Sequence, residues 1–141
     1  MKKLNKKGFT LIGLLAVIVV LAIILVITIP TVLNMVGNTR SDAFGASANA
    51  AAEWFEKQAA LVDAGLDGAN TDFKTWYSTN KDKTTGVALN ANLLKAAGLN
   101  DTDYSTTSTL YFENGRACVT LVPGSEGKFS SVSSTDSSGC P

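Results

Sequence analysis

The chain of 141 residues contains no histidine and only two cysteines, and its first acidic residue is Asp42. Without histidine, a histidine-based nucleophile triad cannot be built, and two thiols alone make a poor zinc site. The glycine-rich residues 65–68 lack the lysine and the Ser/Thr of a phosphate-binding loop. The sequence therefore predicts no enzyme activity, no cofactor and no bound metal.

Charged side chains are also absent from residues 9–29, which follow a short head with four lysines. An uninterrupted apolar run of about 20 residues is long enough to cross the hydrocarbon core of a bilayer as a helix. Lysines before the run place that end in the cytoplasm and the rest of the chain outside. A cleavable signal peptide fits less well, because the run is too long and no A-x-A-like site closely follows Pro30. A plain membrane anchor stays open as an alternative.

The residue order around Gly8 is more specific than hydrophobicity. The basic leader, Gly8, then Phe9, a long aliphatic helix and Pro30 resemble the class III signal of type IV pilins. In that family, a membrane peptidase cuts after the glycine and methylates the new N-terminal phenylalanine. The resemblance implies leader cleavage between Gly8 and Phe9, N-methylation of Phe9, and a helix break at Pro30 that unwinds partly in the filament. Proline inside a helix costs about 3 kcal/mol and leaves carbonyls unsatisfied, so it bends many helices. An ordinary helix kink at Pro30, without a role in the filament, is therefore an equal alternative.

Gly13 departs from the pattern of that family. Pilins of this type usually carry glutamate as the fifth residue of the mature chain, where it pairs with the N-terminal amine of a neighbouring subunit. A carboxylate in lipid is costly unless it is paired, so the pair supplies both attraction and register. Three accounts of Gly13 are open: a minor or tip subunit, an assembly-altering variant of a major pilin, or a lineage whose register is set by packing alone.

The resemblance implies a structural subunit of a type IV pilus for adhesion, motility or aggregation. Its expected partners are identical or homologous pilin subunits, the prepilin peptidase, an inner-membrane assembly platform, and the membrane before assembly. Its location would change from the cytoplasmic membrane to an extracellular filament on the bacterial surface. Two alternatives stay open: a minor pilin or pseudopilin of a type II secretion or competence system, and a monomeric membrane-tethered binding domain. Without the leader, eight basic residues oppose twelve acidic ones, a balance that does not favour nucleic-acid binding.

Residues 31–62 are alanine-rich and place apolar side chains three and four positions apart, which predicts an amphipathic helix. This helix would continue the transmembrane or filament-core helix of residues 9–30. Its expected apolar face consists of Val32, Met35, Val36, Phe44, Ala48, Ala51, Ala52, Phe55, Ala59 and Val62.

Residues 63–105 are predicted to be a connecting region that starts with a turn rich in Gly, Asp and Asn. Residues 71–77 fit either a short helix or an extended segment. Asn90 is the expected cap of a short helix that stops at Gly98. Core packing is favoured over an aromatic ligand site for four side chains of the chain, Trp54, Phe55, Trp76 and Tyr77.

The last region, residues 106–141, has the pattern of a small antiparallel sheet. Residues 109–113 and 116–122 flank Asn114 and Gly115, a strong hairpin signal because both residues tolerate positive φ. Residues 127–132 offer a third strand, and three strands can bury one face against a helix. The expected fold is therefore α+β, with the sheet packed on the second half of the long helix, as in the head that the pilin resemblance implies.

Cys118 and Cys140 are most simply a disulfide, because an even pair in an exported domain is normally oxidised. The loop-entropy relation gives roughly 3 kcal/mol for a closure of this size. Residues 130–139 inside the loop are small and polar. They fit a solvated loop or, alternatively, a surface for adhesion or O-linked sugar.

Overall fold

A computed structural model describes residues 6–141, with side chains from Phe9 onward. The predicted leader, residues 1–8, lies outside this part except for the backbone of residues 6–8. The chain divides into two compact units. The first unit ends at Asn38, and the second unit spans Thr39–Pro141. Its helices and strands, in chain order, are α1 (Lys6–Asp63), α2 (Thr71–Asn80), β1 (Val87–Ala88), α3 (Ala91–Ala96), β2 (Thr109–Glu113), β3 (Arg116–Leu121) and β4 (Thr135–Asp136).

The predicted helix break at Pro30 is not seen, because α1 stays helical through this residue. Proline removes one intrahelical hydrogen bond, and hydroxyl side chains in the adjoining turns bond nearby carbonyls instead. Thr28 Oγ1 donates to the carbonyl of Ile24 at 2.9 Å, and Thr31 Oγ1 donates to that of Ile27 at 3.4 Å. Partial unwinding in a filament stays a prediction.

The predicted apolar face of the second half of the helix is confirmed from Phe44 onward. In the second unit, this face is buried in one core with residues of the sheet. The buried positions on α1 are Phe44, Ala48, Ala51, Ala52, Phe55 and Ala59. Val32, Met35 and Val36 belong to the first unit and are exposed within the chain, so their place on an apolar face stays a prediction.

Asparagine side chains begin both short helices. The Oδ1 of Asn70 accepts from the backbone N–H of Phe73 at 3.0 Å, and that of Asn90 accepts from Leu93 at 2.8 Å. The ambiguous residues 71–77 are therefore helical, and the cap predicted at Asn90 is confirmed. Gly98 has a φ of +84° and ends α3 as predicted, because only glycine adopts this backbone at no steric cost.

The sheet is antiparallel, with the strand order β1-β2-β3-β4. The hairpin of β2 and β3 is confirmed: Asn114 and Gly115 have φ angles of 52° and 79°. In its register, Glu113 lies opposite Arg116 and Thr109 opposite Thr120. β1 lies within the region predicted to be only a connection, so the sheet is wider than the sequence indicated.

The third strand predicted over residues 127–132 is wrong. This segment forms turns, because the backbone N–H of Lys128 donates to the Asp103 carboxylate at 2.8 Å and bends the chain. Phe129 then packs between Phe44 and Tyr104, with ring centroids 5.2 and 5.5 Å away. β4 instead lies in the segment predicted to be a polar loop and pairs with β3.

Core packing of the aromatic side chains is confirmed. Phe73 is fully buried at the centre of the cluster. Its ring centroid lies 5.4 Å from that of Tyr77, 5.7 Å from that of Phe55, and 6.1 Å from those of Trp54 and Trp76. Such pairs add about 0.5–1.5 kcal/mol beyond the area that they bury.

Candidate functional site

In the described part of the first unit, α1 carries large apolar side chains that are all exposed. Between Phe9 and Val36, their exposed fractions run from 41% to 73%. The most apolar 18-residue window has a mean hydropathy of 3.4, and none of it is buried within the chain. A helix that is apolar on every side needs lipid or other helices around it. By length and composition, α1 can cross a membrane.

The residues predicted for leader processing lie at the start of this segment. The backbone of Gly8 is helical, and Phe9 follows as the first described side chain, 70% exposed. Gly13 lies in α1 with open space around it, since a Cβ added there meets nothing within 4 Å. The chain itself therefore leaves room for a larger side chain at position 13.

Cys118 and Cys140 are joined by the predicted disulfide, with their Cα atoms 4.5 Å apart. Cys118 is a buried residue of β3, and Cys140 is the penultimate residue. The bridge therefore fixes the C-terminus to the sheet. The prediction of a solvated loop holds for Ser133 and Ser134, but Ser137 is only 3% exposed.

Asp103, whose side chain is buried, organises the turn that precedes the isolated β-bridge between Tyr104 and Pro123. Asn100 Nδ2 donates to Asp103 Oδ2, and the backbone N–H of Lys128 donates to Oδ1, both at 2.8 Å. The bond from Asn100, followed by that from Lys128, lowers the pKa of the Asp103 carboxyl below its ordinary value. This carboxylate fixes residues 124–130 against the 100–104 turn.

The end of α1 is tied to α2 by a second polar contact. Tyr77 Oη donates to Asp63 Oδ2 at 2.9 Å. Desolvation by burial, reinforced by that hydrogen bond, raises the pKa of Tyr77 to about 12. Both effects favour the neutral phenol. The contact therefore stabilises the head at pH values below the ordinary tyrosine pKa of about 10.

Sequence reasoning missed two contacts that join α1 to distant parts of the chain. Glu56 Oε1 accepts from the backbone N–H of Ala117 at 2.9 Å, and Tyr104 Oη donates to Ser47 Oγ at 2.8 Å. The partners lie 61 and 57 residues apart. No local pattern encodes contacts at such separations, because they depend on how the helix meets the sheet.

Metal-ligand types are sparse in the part of the chain that the structure describes. Within it, no group of three or more His, Cys, Asp or Glu residues could hold a metal ion. The head instead contains one core of packed apolar side chains.

Comparison with known proteins gives one match, the prokaryotic N-terminal methylation motif, over residues 3–29. No curated protein and no solved structure matches the chain. The motif implies processing by a prepilin peptidase, and with the apolar helix it makes the precursor membrane-anchored. Motif, helix, antiparallel sheet and disulfide occur together on one polypeptide. The chain therefore carries the N-terminal motif of a type IV pilin-type prepilin.

Proposed function

We propose that the mature chain is a structural subunit of a type IV pilus that polymerises through α1. The observation that carries the proposal is the exposed apolar surface of residues 9–36, which follows a leader of the methylation-motif type. Burial of apolar surface contributes about 25 cal/mol per Å². A helix that exchanges lipid for sister helices keeps its apolar surface out of water throughout, so extraction from the bilayer becomes possible.

The second unit supplies the head of this subunit. Its core cluster lies within residues 39–141 and joins side chains of α1 with side chains of the sheet. We propose that the heads lie on the filament surface and determine adhesion, motility or aggregation. The absence of histidine and of a phosphate loop from the sequence supports a role without catalysis.

N-terminal sequencing and mass spectrometry of the protein from cells test the proposal. We expect a chain that begins with N-methylated Phe9 and is present in sheared filaments. The matched control is Gly8→Ala, which should retain the leader and stay in the membrane. A mature protein that begins at Met1 and is recovered only from membranes would instead indicate the membrane-tethered binding domain.

Gly13 keeps the minor pilin or pseudopilin as a second candidate function. This position lacks the carboxylate that the pilin family uses to pair neighbouring subunits. Because a Cβ at position 13 meets open space, Gly13→Glu should be accepted by the isolated helix. We expect it to raise incorporation into sheared filaments relative to Gly13→Gln, which has the same size without the charge. Equal incorporation of both variants and the wild type would favour register by packing alone.

A further inference from the structure

Residues 135–140, near the end of the sequence, cover the outer edge of β3, and we name them the C-terminal cover. Within it, β4 pairs with Thr120 and Leu121. The same antiparallel register continues past β4, because the backbone N–H of Ser137 donates to the Val119 carbonyl at 2.8 Å. The cover therefore acts as an edge strand that is longer than β4 itself.

Ser137 is the central contact of the C-terminal cover. Its Oγ accepts from the backbone N–H of Val119 at 3.0 Å and donates to the carbonyl of Ala117 at 3.4 Å. One small hydroxyl thus satisfies a donor and an acceptor of β3, which no apolar side chain can do. At Gly139, an added Cβ would lie 2.6 Å from the Ala117 carbonyl oxygen. The edge of β3 therefore fits a strand with serine and glycine at these two positions.

Few apolar contacts hold the C-terminal cover in place, because its sequence is Thr-Asp-Ser-Ser-Gly-Cys. Besides β3, its backbone bonds α1 once: the N–H of Ser138 donates to Asn49 Oδ1 at 2.7 Å. Hydrogen bonds exchange with those to water on opening, so their net contribution is small. The disulfide from Cys140 to Cys118 is the one covalent constraint. After reduction, hydrogen bonds to β3 and to Asn49 are the contacts that hold the cover.

We propose that the C-terminal cover is a removable edge strand, and that the β3 edge beneath it accepts the same segment of a second copy of this chain when the disulfide is open. An uncovered edge presents unpaired N–H and C=O groups to any extended strand. The second copy's cover is the occupant that fits, because it brings Ser137, Gly139 and Cys140 in the register that the chain's own cover uses. Exchange of identical elements of this kind links protomers at low cost.

The chemistry of opening and closing is a two-electron exchange. Dithiothreitol transfers two electrons and two protons to the bridge, leaves two thiols, and becomes its own cyclic disulfide. Oxidised glutathione then takes two electrons and two protons from Cys118 of one chain and Cys140 of the second, and yields two molecules of reduced glutathione. The new S–S bond joins the two copies.

Isotope mixing of the full chain in detergent micelles tests this proposal. Equal amounts of ¹⁴N- and ¹⁵N-labelled protein are mixed, reduced with dithiothreitol without denaturant, and reoxidised with oxidised glutathione. Trypsin then releases the bridged peptides 117–128 and 129–141, since cleavage follows Arg116 and Lys128. We expect bridged pairs of mixed label after the redox cycle and none in the mixture that was never reduced. Hydrogen exchange of the Val119 amide should rise at least about tenfold on reduction.

Two variants separate exchange of the cover from random collision of thiols. Gly139→Ala blocks docking on β3 but keeps both cysteines, so mixed pairs should be lost. Ser138→Ala changes an exposed side chain and keeps the bonded backbone N–H, so it should give the wild-type yield. The proposal is overturned by an absence of mixed pairs in the wild type, or by equal yields in wild type and Gly139→Ala.

Discussion

The two parts of α1 satisfy their apolar side chains in different ways. From Phe9 to Val36 every large apolar side chain is exposed, whereas in the second unit Phe44 and Phe55 are fully buried and Trp54 and Val62 pack partly buried against the same core. The first part is apolar on all sides, and the second is apolar on one face only. A one-sided face can be satisfied within the chain, but an all-round apolar surface requires an environment outside it. Under the proposed function, folding and assembly therefore depend on separate parts of one helix.

The largest difference between the two parts should come from removing a core ring. Phe55→Ala should lower the free energy of unfolding of the head by about 3–5 kcal/mol, because Phe55 is fully buried. Leu21→Ala is the matched control in the first unit, where the side chain is 51% exposed, and it should change head stability by less than about 0.5 kcal/mol. Guanidinium unfolding of the full chain in detergent, followed by near-ultraviolet circular dichroism, measures both. Equal losses of head stability in the two variants would contradict the separate roles of the two parts of α1.

The reverse experiment places a charge in the first part. Val20→Arg should disfavour membrane insertion by about 2.5–3.5 kcal/mol, because position 20 lies in the middle of the uncharged run. Head stability should not change. Ala50→Arg, on the exposed side of α1 in the second unit, should leave insertion at the wild-type level. A membrane-insertion assay compares the two variants, and an equal defect would show that α1 acts as one undivided anchor.

Loss of the disulfide should affect only the second unit. The double variant Cys118→Ala/Cys140→Ala should lower the free energy of unfolding of the head by about 3 kcal/mol, because the open loop regains chain entropy on unfolding. Thermal melts with and without reductant measure this effect in the wild type, and the variant should melt alike in both. Insertion of the first unit should be unchanged, and an altered insertion yield would argue against independent roles.

The smallest expected effect is a pH dependence of the head. The native pKa of Asp103 is lowered, so its stabilising contribution is present above the ordinary aspartate pKa of about 3.9 and is lost as the pH falls through the native value. Asp103→Asn should lower the melting temperature at pH 7 and flatten its decline in acid. Asp101→Asn, which affects only a surface pair with Lys95 at 3.6 Å, should follow the wild-type curve. Identical acid profiles for all three proteins would refute the role of Asp103.

Local signals in the sequence predicted much of this structure. The Asn114–Gly115 turn, the cap at Asn90 and the buried face from Phe44 depend on neighbours within a few residues, so pattern and turn chemistry were sufficient. The bridge from Cys118 to Cys140 followed from cysteine number and an exported location.

The failures occurred where long-range contacts override local preference. Residues 127–132 have an extended pattern, but the Asp103 carboxylate, 25 residues from Lys128, bends them into turns. Thr135 and Asp136 form a strand despite their polar surroundings, because β3 offers an edge to pair with. Such outcomes depend on which partners lie close in space, and no window of neighbouring residues contains that information.

The sequence by itself predicted a leader and determined an apolar helix suited to a membrane and a disulfide in the head, because charge pattern and composition act locally. Only the tertiary structure decided that apolar burial on α1 begins at Phe44, that Glu56 reaches Ala117, and that Ser137 occupies the edge of β3. The physical reason is that unpaired backbone groups and apolar faces are satisfied by whichever groups the folded chain brings within reach.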